Sequence, residues 1–161
     1  MALIDYLEAT PLAQLSADYV STFDLRRRCC LYLTYYAFGD TRKRGVALLT
    51  FKQAYRNAGV ELTADELPDH LCVLLEFAAT ADFETGRLLL LQHRAGVELL
   101  RLALGDAESP YVAALNAICA TLPSLGGDDR QAVSRLAAEG PPAEAVGLEP
   151  FAPPDYMGAR T

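Results

Sequence analysis

The sequence predicts an all-α protein: a single-domain bundle of about six to seven helices, followed by a flexible, proline-rich C-terminal tail. Apolar residues recur at spacings of three and four through nearly every segment, which is the period of an amphipathic helix. Helix start and stop residues flank these segments, and no segment alternates convincingly as a strand. A chain of 161 residues fits one domain and can bury a core without a disulfide or a metal.

The first three predicted helices are defined by residues at their ends. Pro11, at a first helical position, starts a helix over 10–23. Asp24 is placed to cap the next segment, DLRRRCCLYLTYYAFGD, which Gly39 terminates. The third helix, TRKRGVALLTFKQAYRNAG, ends at Gly59.

The second half of the chain repeats this pattern with more apolar segments. A helix is predicted over 68–80, and a short break follows at Asp82. The segment 83–104 is apolar on most sides, as expected for a central helix of a bundle. Shorter helices over 110–122 and 128–139 complete the bundle.

Composition changes abruptly at residue 140. Residues 140–161 hold five of the nine prolines and show no periodicity. Such a segment buries too little apolar surface to offset its ordering entropy. We therefore expect a helical domain over 1–139 and a flexible tail over 140–161.

The net charge of −7 is unevenly distributed. Residues 1–60 carry 8 Lys/Arg against 5 Asp/Glu, whereas residues 61–161 carry 6 against 16. An acidic half disfavours nucleic acid as a partner and suits a basic one, although the same charge also serves solubility. Both interpretations stay open.

The sequence also predicts where the protein acts. Its longest uninterrupted leucine run is LLLL, far below the roughly 20 apolar residues of a membrane-spanning helix. The N-terminus carries acids early and lacks a basic region, which argues against a signal peptide. We expect a soluble, cytoplasmic protein that does not insert into the membrane.

Metal and catalytic motifs are absent from the sequence. The four cysteines include no C-x-x-C pair, and we expect buried free thiols. His93 has no histidine four residues later, and neither a phosphate-binding glycine loop nor a nucleophile elbow occurs. We expect no catalytic residues, no metal and no bound cofactor.

The stretch ELPDHLCVLLEF places acids and a histidine at the start of an apolar helix. On a wheel over 68–80, Asp69 and Glu76 share the solvent-facing side, roughly 10 Å apart along the axis. His70 points about a quarter turn from both, so the three do not converge on an active site. Asp69 in a first turn is explained by the helix dipole, and His70 by a half-buried position at a helix start.

Aromatic residues concentrate in the first third of the chain, and tryptophan is absent. Tyr19, Tyr32 and Tyr36 are among them. A tyrosine has an apolar body and a polar tip, which suits a groove that receives a peptide. Core packing explains many of these residues equally well.

Three stretches resemble a known family. YVSTFDLRRRCCLYLTYYAFGDTRKRG, ELPDHLCVLLEFAA and LLQHRAGVELLRLAL are similar to the NarJ-type nitrate reductase assembly chaperones, or delta subunits, of the TorD/DmsD group of redox-enzyme maturation proteins. The resemblance covers roughly 3–139, with VGLEPF in the tail. Its first run is specific to the nitrate reductase branch, whereas the element E-x-P-D-H-L is shared more broadly.

The resemblance implies an all-helical fold, no enzymatic activity and a cytoplasmic role. Such chaperones bind the N-terminal peptide of the apo catalytic subunit and hold it until molybdenum cofactor and iron–sulfur clusters are inserted. Glu66, Asp69 and His70 match the shared element and are expected near the peptide. Family members usually carry further N-terminal sequence before the matched stretch, so we expect exposed apolar surface here, covered by a homodimer or by domain swapping.

A working hypothesis assigns roles around a helical client peptide. Asp69 and Glu76 receive its basic residues, and Tyr19, Tyr32, Tyr36 and Phe77 contact its apolar face. Arg94 or His70 supplies a hydrogen bond. Three alternatives stay open. They are a chaperone for another molybdoenzyme of the same group, a small helical metal-dependent hydrolase that uses His70, His93 and nearby acids, and a purely structural helical adaptor with no link to a cofactor.

Overall fold

Helices dominate the chain, as the spacing of its apolar residues predicts. A computed structural model describes residues 3–63 and 66–142, and within these ranges the chain forms nine α-helices. They are α1 (Leu3–Ala9), α2 (Leu12–Tyr19), α3 (Leu33–Phe38), α4 (Arg42–Asn57), α5 (Leu71–Thr80), α6 (Phe83–Gln92), α7 (Arg94–Asp106), α8 (Val112–Ala120) and α9 (Gly127–Glu139). The all-α class is confirmed, and an isolated β-bridge is the only strand-like pairing in the described ranges.

The helix number exceeds the expected six to seven for two reasons. Helix α1 was not predicted as a separate element. The long segment 83–104 divides at His93, whose ψ of 20° departs from helical geometry and separates α6 from α7. No glycine or proline marks this break, so the local sequence did not predict it.

The predicted glycine stops are confirmed. Gly39 follows α3 with φ of +56°, and Gly59 lies just beyond α4 with φ of +75°. This left-handed backbone is favourable only for residues without a Cβ atom, which explains both positions. Gly39 also lies against the main chain of Pro142, where an added Cβ would be 1.7 Å from the Pro142 carbonyl oxygen.

The prediction of one helix over DLRRRCCLYLTYYAFGD is wrong. A π-helical turn at Val20–Asp24 and a 3₁₀ turn at Arg27–Cys29 precede an extended Cys30, and α3 begins only at Leu33. The segment leaves the helical conformation because its backbone pairs with another part of the chain, described below.

The helix predicted over 68–80 begins three residues later than expected. Pro68 and Asp69 lie in the turn before α5, and His70 is its N-cap, with Nδ1 accepting a hydrogen bond from Cys72 N at 3.2 Å. Asp82, predicted as a break, caps α6 by accepting from Thr85 N at 3.0 Å. That bond, with one from the Thr85 hydroxyl, holds the pKa of Asp82 below its ordinary value.

Helix α7 occupies the centre of the bundle, as predicted for this apolar segment. Val97, Leu100 and Leu104 are fully buried, and α7 packs against α3, α6, α8 and α9. Helix α5 packs on α6, where Gly86 permits a close approach. This core supports the segment that precedes α5.

The predicted tail lies largely outside the described residues. Gly140 ends α9 with φ of +76°, and 143–161 is not described, so the division at residue 140 stays a prediction. Within the described ranges, no helix has the length and apolar character needed to cross a membrane.

Candidate functional site

The segment ELPDHL is fixed to the chain before α3 by an antiparallel bridge. Leu33 N donates to Asp69 O at 3.0 Å, and Leu71 N donates to Leu31 O at 2.9 Å. This pattern places Tyr32 and His70 directly opposite each other in a non-hydrogen-bonded pair. Side chains in such a pair lie close together, and the two rings meet edge to face with centroids 5.3 Å apart.

Asp69 caps α3 rather than its own helix. Its carbonyl oxygen accepts from Leu33 N, and its carboxylate Oδ2 accepts from Thr34 N at 3.1 Å and from the Thr34 hydroxyl. Leu33 and Thr34 are the first residues of α3, whose N–H groups have no partner within the helix. A buried carboxylate at this end also interacts favourably with the helix dipole.

Arg44 on α4 completes this buried polar cluster. Its Nε donates to Thr34 Oγ1 at 3.2 Å, and its Nη2 lies 3.8 Å from Asp69 Oδ2. The guanidinium also lies 5.7 Å from the centroid of the Tyr32 ring, within cation–π distance. One side chain of α4 therefore supports both the cap and the half-buried ring of Tyr32.

Tyr55 anchors the other end of the segment. Its hydroxyl donates to Pro68 O at 2.6 Å, and its ring packs on Phe77 at 4.5 Å between centroids. Burial, with a smaller contribution from the Asp69 charge, raises the pKa of Tyr55 far above its ordinary value, so the phenol remains a donor. The turn before α5 is thus held by α3, α4 and the core.

The exposed side of this turn carries aromatic and polar groups, and we call Tyr19, Tyr32, Glu66, His70 and Cys72 the bridge surface. The Tyr32 hydroxyl donates to Glu66 Oε1 at 3.2 Å. Tyr19 packs on a ring outside this set, Phe23, at 4.8 Å. Tyr19 also lies near enough to Cys72 and Glu66 for both to raise its pKa, although burial contributes more.

The electrostatics of the bridge surface favour recognition over nucleophilic chemistry. Burial raises the pKa of Tyr32, and the Glu66 charge and hydrogen bond raise it further. Burial also raises the pKa of the Cys72 thiol, again with a contribution from Glu66. A thiol held in its neutral form is a poor nucleophile. The surface therefore presents aromatic faces and hydrogen-bonding groups beside one exposed carboxylate.

The structure places five of the predicted site residues in accessible positions. Tyr19, Tyr32, Glu66 and His70 belong to the bridge surface, and Glu76 is exposed on α5, one turn beyond Cys72. His70 is half-buried and hydrogen-bonded at a helix start, which confirms that part of the prediction. The sequence missed Cys72 as part of the surface because we expected buried thiols.

The other predicted residues are buried, which corrects the expected geometry. Asp69 has no exposed area and does not share a solvent-facing side with Glu76. Tyr36, Phe77 and Arg94 are 4%, 4% and 6% exposed. The helical wheel failed for Asp69 because the helix starts after it. Peptide contact by these four stays a prediction, and each has internal contacts that account for its burial.

Tyr36 illustrates such contacts. Its hydroxyl lies 2.9 Å from Cys30 O and 3.0 Å from Arg28 O, either of which accepts its proton. Its ring packs on Gly96, where an added Cβ would be 2.9 Å from the ring. Tyr36 thereby joins the chain before α3 to α7.

Thr34 and Arg44 are the residues of this region that sequence analysis overlooked. Thr34 interrupts the apolar run LYLTYY with a hydroxyl, and a buried hydroxyl requires a partner. The hydroxyl within this apolar run was therefore the feature of the sequence that could have indicated a buried polar contact at Thr34. Nothing in the sequence indicated a buried role for Arg44, because it lies in the basic run TRKRG and such runs are typically solvated.

The two histidines lie in separate parts of the structure. His70 belongs to the bridge surface, whereas His93, at the α6–α7 junction, packs on Phe51 with ring centroids 5.2 Å apart. Within 3–63 and 66–142, no group of three or more His, Cys, Asp or Glu is arranged to hold a metal ion.

A cavity of about 520 Å³ lies apart from the bridge surface residues. Its lining combines basic, acidic and apolar side chains from the 3₁₀ turn, α3, α7 and α9, among them Arg27, Arg28, Asp106 and Glu139. The two acids, Asp106 and Glu139, share the cavity with the two arginines. Tyr36 is the one predicted site residue that lines it.

Comparison with known proteins identifies relatives of this chain. The family described as nitrate reductase delta subunit matches residues 1–117. The nitrate reductase-like protein NarX of Mycobacterium tuberculosis (strain H37Rv) is 49% identical over 118 residues, which are 73% of this chain and 18% of that protein.

Two further relatives carry chaperone names. The probable nitrate reductase molybdenum cofactor assembly chaperone NarJ of Bacillus subtilis is 37% identical over 108 residues, covering 67% of this chain and 59% of that protein. The NarJ chaperone of Escherichia coli K12 is 38% identical over 63 residues, or 39% of this chain and 27% of that protein. The chain thus spans less than two thirds of each of these relatives.

Proposed function

Because this chain belongs to the nitrate reductase delta subunit family, we propose that it is an assembly chaperone that binds the N-terminal peptide of the apo catalytic subunit of nitrate reductase. In this role it holds the client in the cytoplasm, competent for insertion of molybdenum cofactor and iron–sulfur clusters, before the enzyme docks at the membrane. The Bacillus and Escherichia relatives carry chaperone names, which supports the chaperone role. The role is one of binding and includes no catalysis.

The bridge surface is the observation that supports this proposal most strongly. Four of its residues, Tyr32, Glu66, His70 and Cys72, lie at or beside a bridge and turn that are fixed by two backbone hydrogen bonds, the Asp69 cap and the Tyr55 anchor. A preorganised surface binds with a smaller entropy cost than a mobile one. Tyrosine also supplies a large contact area with few rotatable bonds.

The bridge surface matches a helical peptide that has both apolar and basic residues. The rings of Tyr19 and Tyr32 receive the apolar face, and His70 offers a hydrogen bond from its ring. Glu66, together with Glu76 on α5, attracts the basic residues. Glu66 is better placed than Asp69 for this purpose, because Asp69 is buried and already bonded to Thr34.

Calorimetric titration with a synthetic N-terminal peptide of the catalytic subunit tests the proposal. Tyr32→Ala should weaken binding at least about tenfold, because interface tyrosines are frequent hot spots. Glu66→Gln should weaken it by a smaller factor and reduce its dependence on salt between 50 and 300 mM NaCl. Asp128→Asn makes the same charge change at an exposed site on α9 and should leave affinity unchanged.

Two results would contradict parts of the proposal. Equal affinities of the wild type, Tyr32→Ala and Glu66→Gln for the peptide would rule out the bridge surface as the binding site. Absence of binding by the wild type would rule out the catalytic subunit of nitrate reductase as the client. In that case, binding of the corresponding peptide from another molybdoenzyme would identify the alternative client.

A further inference from the structure

A second polar cluster lies between α7 and α8, away from the bridge surface residues. Arg94 and Glu98 are 6% and 7% exposed, and both approach the sulfur of Cys119 on α8. Arg94 Nη1 donates to Cys119 Sγ at 3.1 Å, and the thiol lies 3.8 Å from Glu98 Oε2, which accepts its proton. The sulfur therefore lies between a buried cation and a buried carboxylate.

The charges in this cluster are not balanced by its carboxylate. Glu98 forms its ion pair with Arg101, whose hydrogen bond is the largest cause of the lowered pKa of Glu98. Arg94 forms no ion pair within the described residues, and its Nε has no hydrogen-bond acceptor there. The Arg94 charge also contributes to the lowered pKa of Glu98, but that single carboxylate lies between two guanidinium groups. A buried guanidinium is costly without a counter-charge, and the group that Arg94 Nη1 contacts directly is the Cys119 sulfur.

This environment differs from that of the other cysteines. Cys72 is exposed, and partial desolvation by the neighbouring protein atoms, with a contribution from Glu66, raises its pKa. Cys29 is buried. Cys30 is partly buried, and burial is the largest cause of its raised pKa. Cys119 alone among the four has an arginine nitrogen within hydrogen-bonding distance, and it is partly exposed.

We propose that Cys119 is a site of oxidative modification, at which hydrogen peroxide or an organic hydroperoxide converts the thiol to a sulfenic acid. The thiolate is the nucleophile in such reactions, and a neighbouring guanidinium stabilises it. The arrangement also has the parts of an activated nucleophile, with a carboxylate placed to accept the proton and a cation placed to hold the sulfur.

The chemical step is balanced. Glu98 accepts the thiol proton, and the sulfur attacks one peroxide oxygen, forming an S–O bond as the O–O bond breaks. The sulfur loses two electrons, and the departing oxygen gains them as hydroxide or alkoxide. That leaving group takes the proton from Glu98, so the products are sulfenic acid and one molecule of water or alcohol.

The exposed Cys72 provides a matched internal comparison. Wild-type protein is treated with limiting hydrogen peroxide, trapped with dimedone and digested, and adduct formation at each cysteine is followed by mass spectrometry. Cys119 should react about tenfold faster than Cys72 although it is less exposed, because the Arg94 guanidinium contacts its sulfur and stabilises negative charge there, whereas Cys72 lies near the Glu66 carboxylate. This comparison requires no substitution.

Variants then identify the source of the reactivity. Arg94→Gln should slow adduct formation at Cys119 about tenfold and leave Cys72 unchanged, whereas Arg94→Lys, which keeps the charge, should retain most of the rate. Arg87→Gln on α6 serves as the control. A Cys119 rate no greater than that of Cys72, or one unchanged in folded Arg94→Gln protein, would overturn the proposal.

Discussion

Asp69 and Asp40 both lie near Arg44, but Asp69 is buried and Asp40 is exposed to solvent. Asp69 has no exposed area, and its carboxylate bonds two groups of Thr34. The side chain of Asp40 is 72% exposed and lies 3.2 Å from the same guanidinium. Water screens the Asp40 pair, whereas Asp69 has exchanged water for internal partners. Asp69 is therefore a structural carboxylate, whereas Asp40 forms a surface ion pair.

At the residue scale, Asp69→Asn should destabilise the protein strongly. The amide preserves the shape but removes the charge, which weakens the α3 cap and leaves Arg44 without its buried partner. We expect a loss of about 2–4 kcal/mol in the free energy of unfolding, measured by urea denaturation. Asp40→Asn should cost at most about 0.5 kcal/mol. Similar losses for both variants would contradict the buried role of Asp69.

At the element scale, α3 depends on another part of the chain for its start. It has only six residues, and isolated helices of this length do not persist in water. Tyr32, its N-cap residue, makes no side-chain cap bond, and Asp69 supplies the missing acceptors. The helix and the turn before α5 therefore stabilise each other.

The α5–α6 contact gives a prediction at the same scale. A Cβ added at Gly86 would lie 2.4 Å from the Ala78 Cβ atom, whereas one added at Gly45 on α4 would meet nothing within 4 Å. Gly86→Ala should lower the free energy of unfolding by about 1–3 kcal/mol through overpacking. Gly45→Ala should raise it by up to about 1 kcal/mol through helix propensity. Thermal or urea denaturation of both variants distinguishes packing from propensity.

At the scale of the whole molecule, His93 couples several elements through one buried ring. It joins α6 to α7, packs on Phe51 of α4 and hydrogen-bonds with the backbone of Leu33 in α3. Burial lowers its pKa below the ordinary value of 6.5, and the Asp69 charge and the Leu33 bond offset only part of this effect. The ring is therefore neutral in the folded state near pH 7.

The depressed pKa makes global stability depend on pH in a defined direction. Below pH 6.5 the unfolded chain binds the His93 proton more readily than the folded one, so protonation favours unfolding. The free energy of unfolding should fall as pH decreases from 7.5 through 6.5, and this contribution levels off below the folded pKa. Urea midpoints at pH 7.5, 6.5 and 5.5 measure the slope.

His93→Gln should reduce that slope, because the substitution removes the titrating ring. His70→Gln, which keeps His93, should preserve the contribution of His93 and serves as the matched control. A slope that is identical in wild type and in folded His93→Gln protein would contradict the assignment of this pH dependence to His93.

The sequence by itself determined the helical class, the glycine stops at Gly39 and Gly59, the break at Asp82 and the central position of α7. These features depend on apolar period, backbone conformations available only to glycine, and local capping, all of which act within a few residues. The family resemblance was also carried by sequence alone. The resemblance includes ELPDHL, which contributes Glu66 and His70 to the bridge surface.

Only the tertiary structure decided what the residues of ELPDHL do. The helical wheel placed Asp69 in solvent, but hydrogen bonds between residues 31–34 and 69–71 delay the start of both predicted helices and turn Asp69 inward. The same long-range pairing brings Tyr32, Glu66 and His70 together. Contacts between residues more than 30 positions apart leave no periodic pattern in the sequence. The solvent exposure and the contact partners of these residues could therefore be determined only from the folded chain.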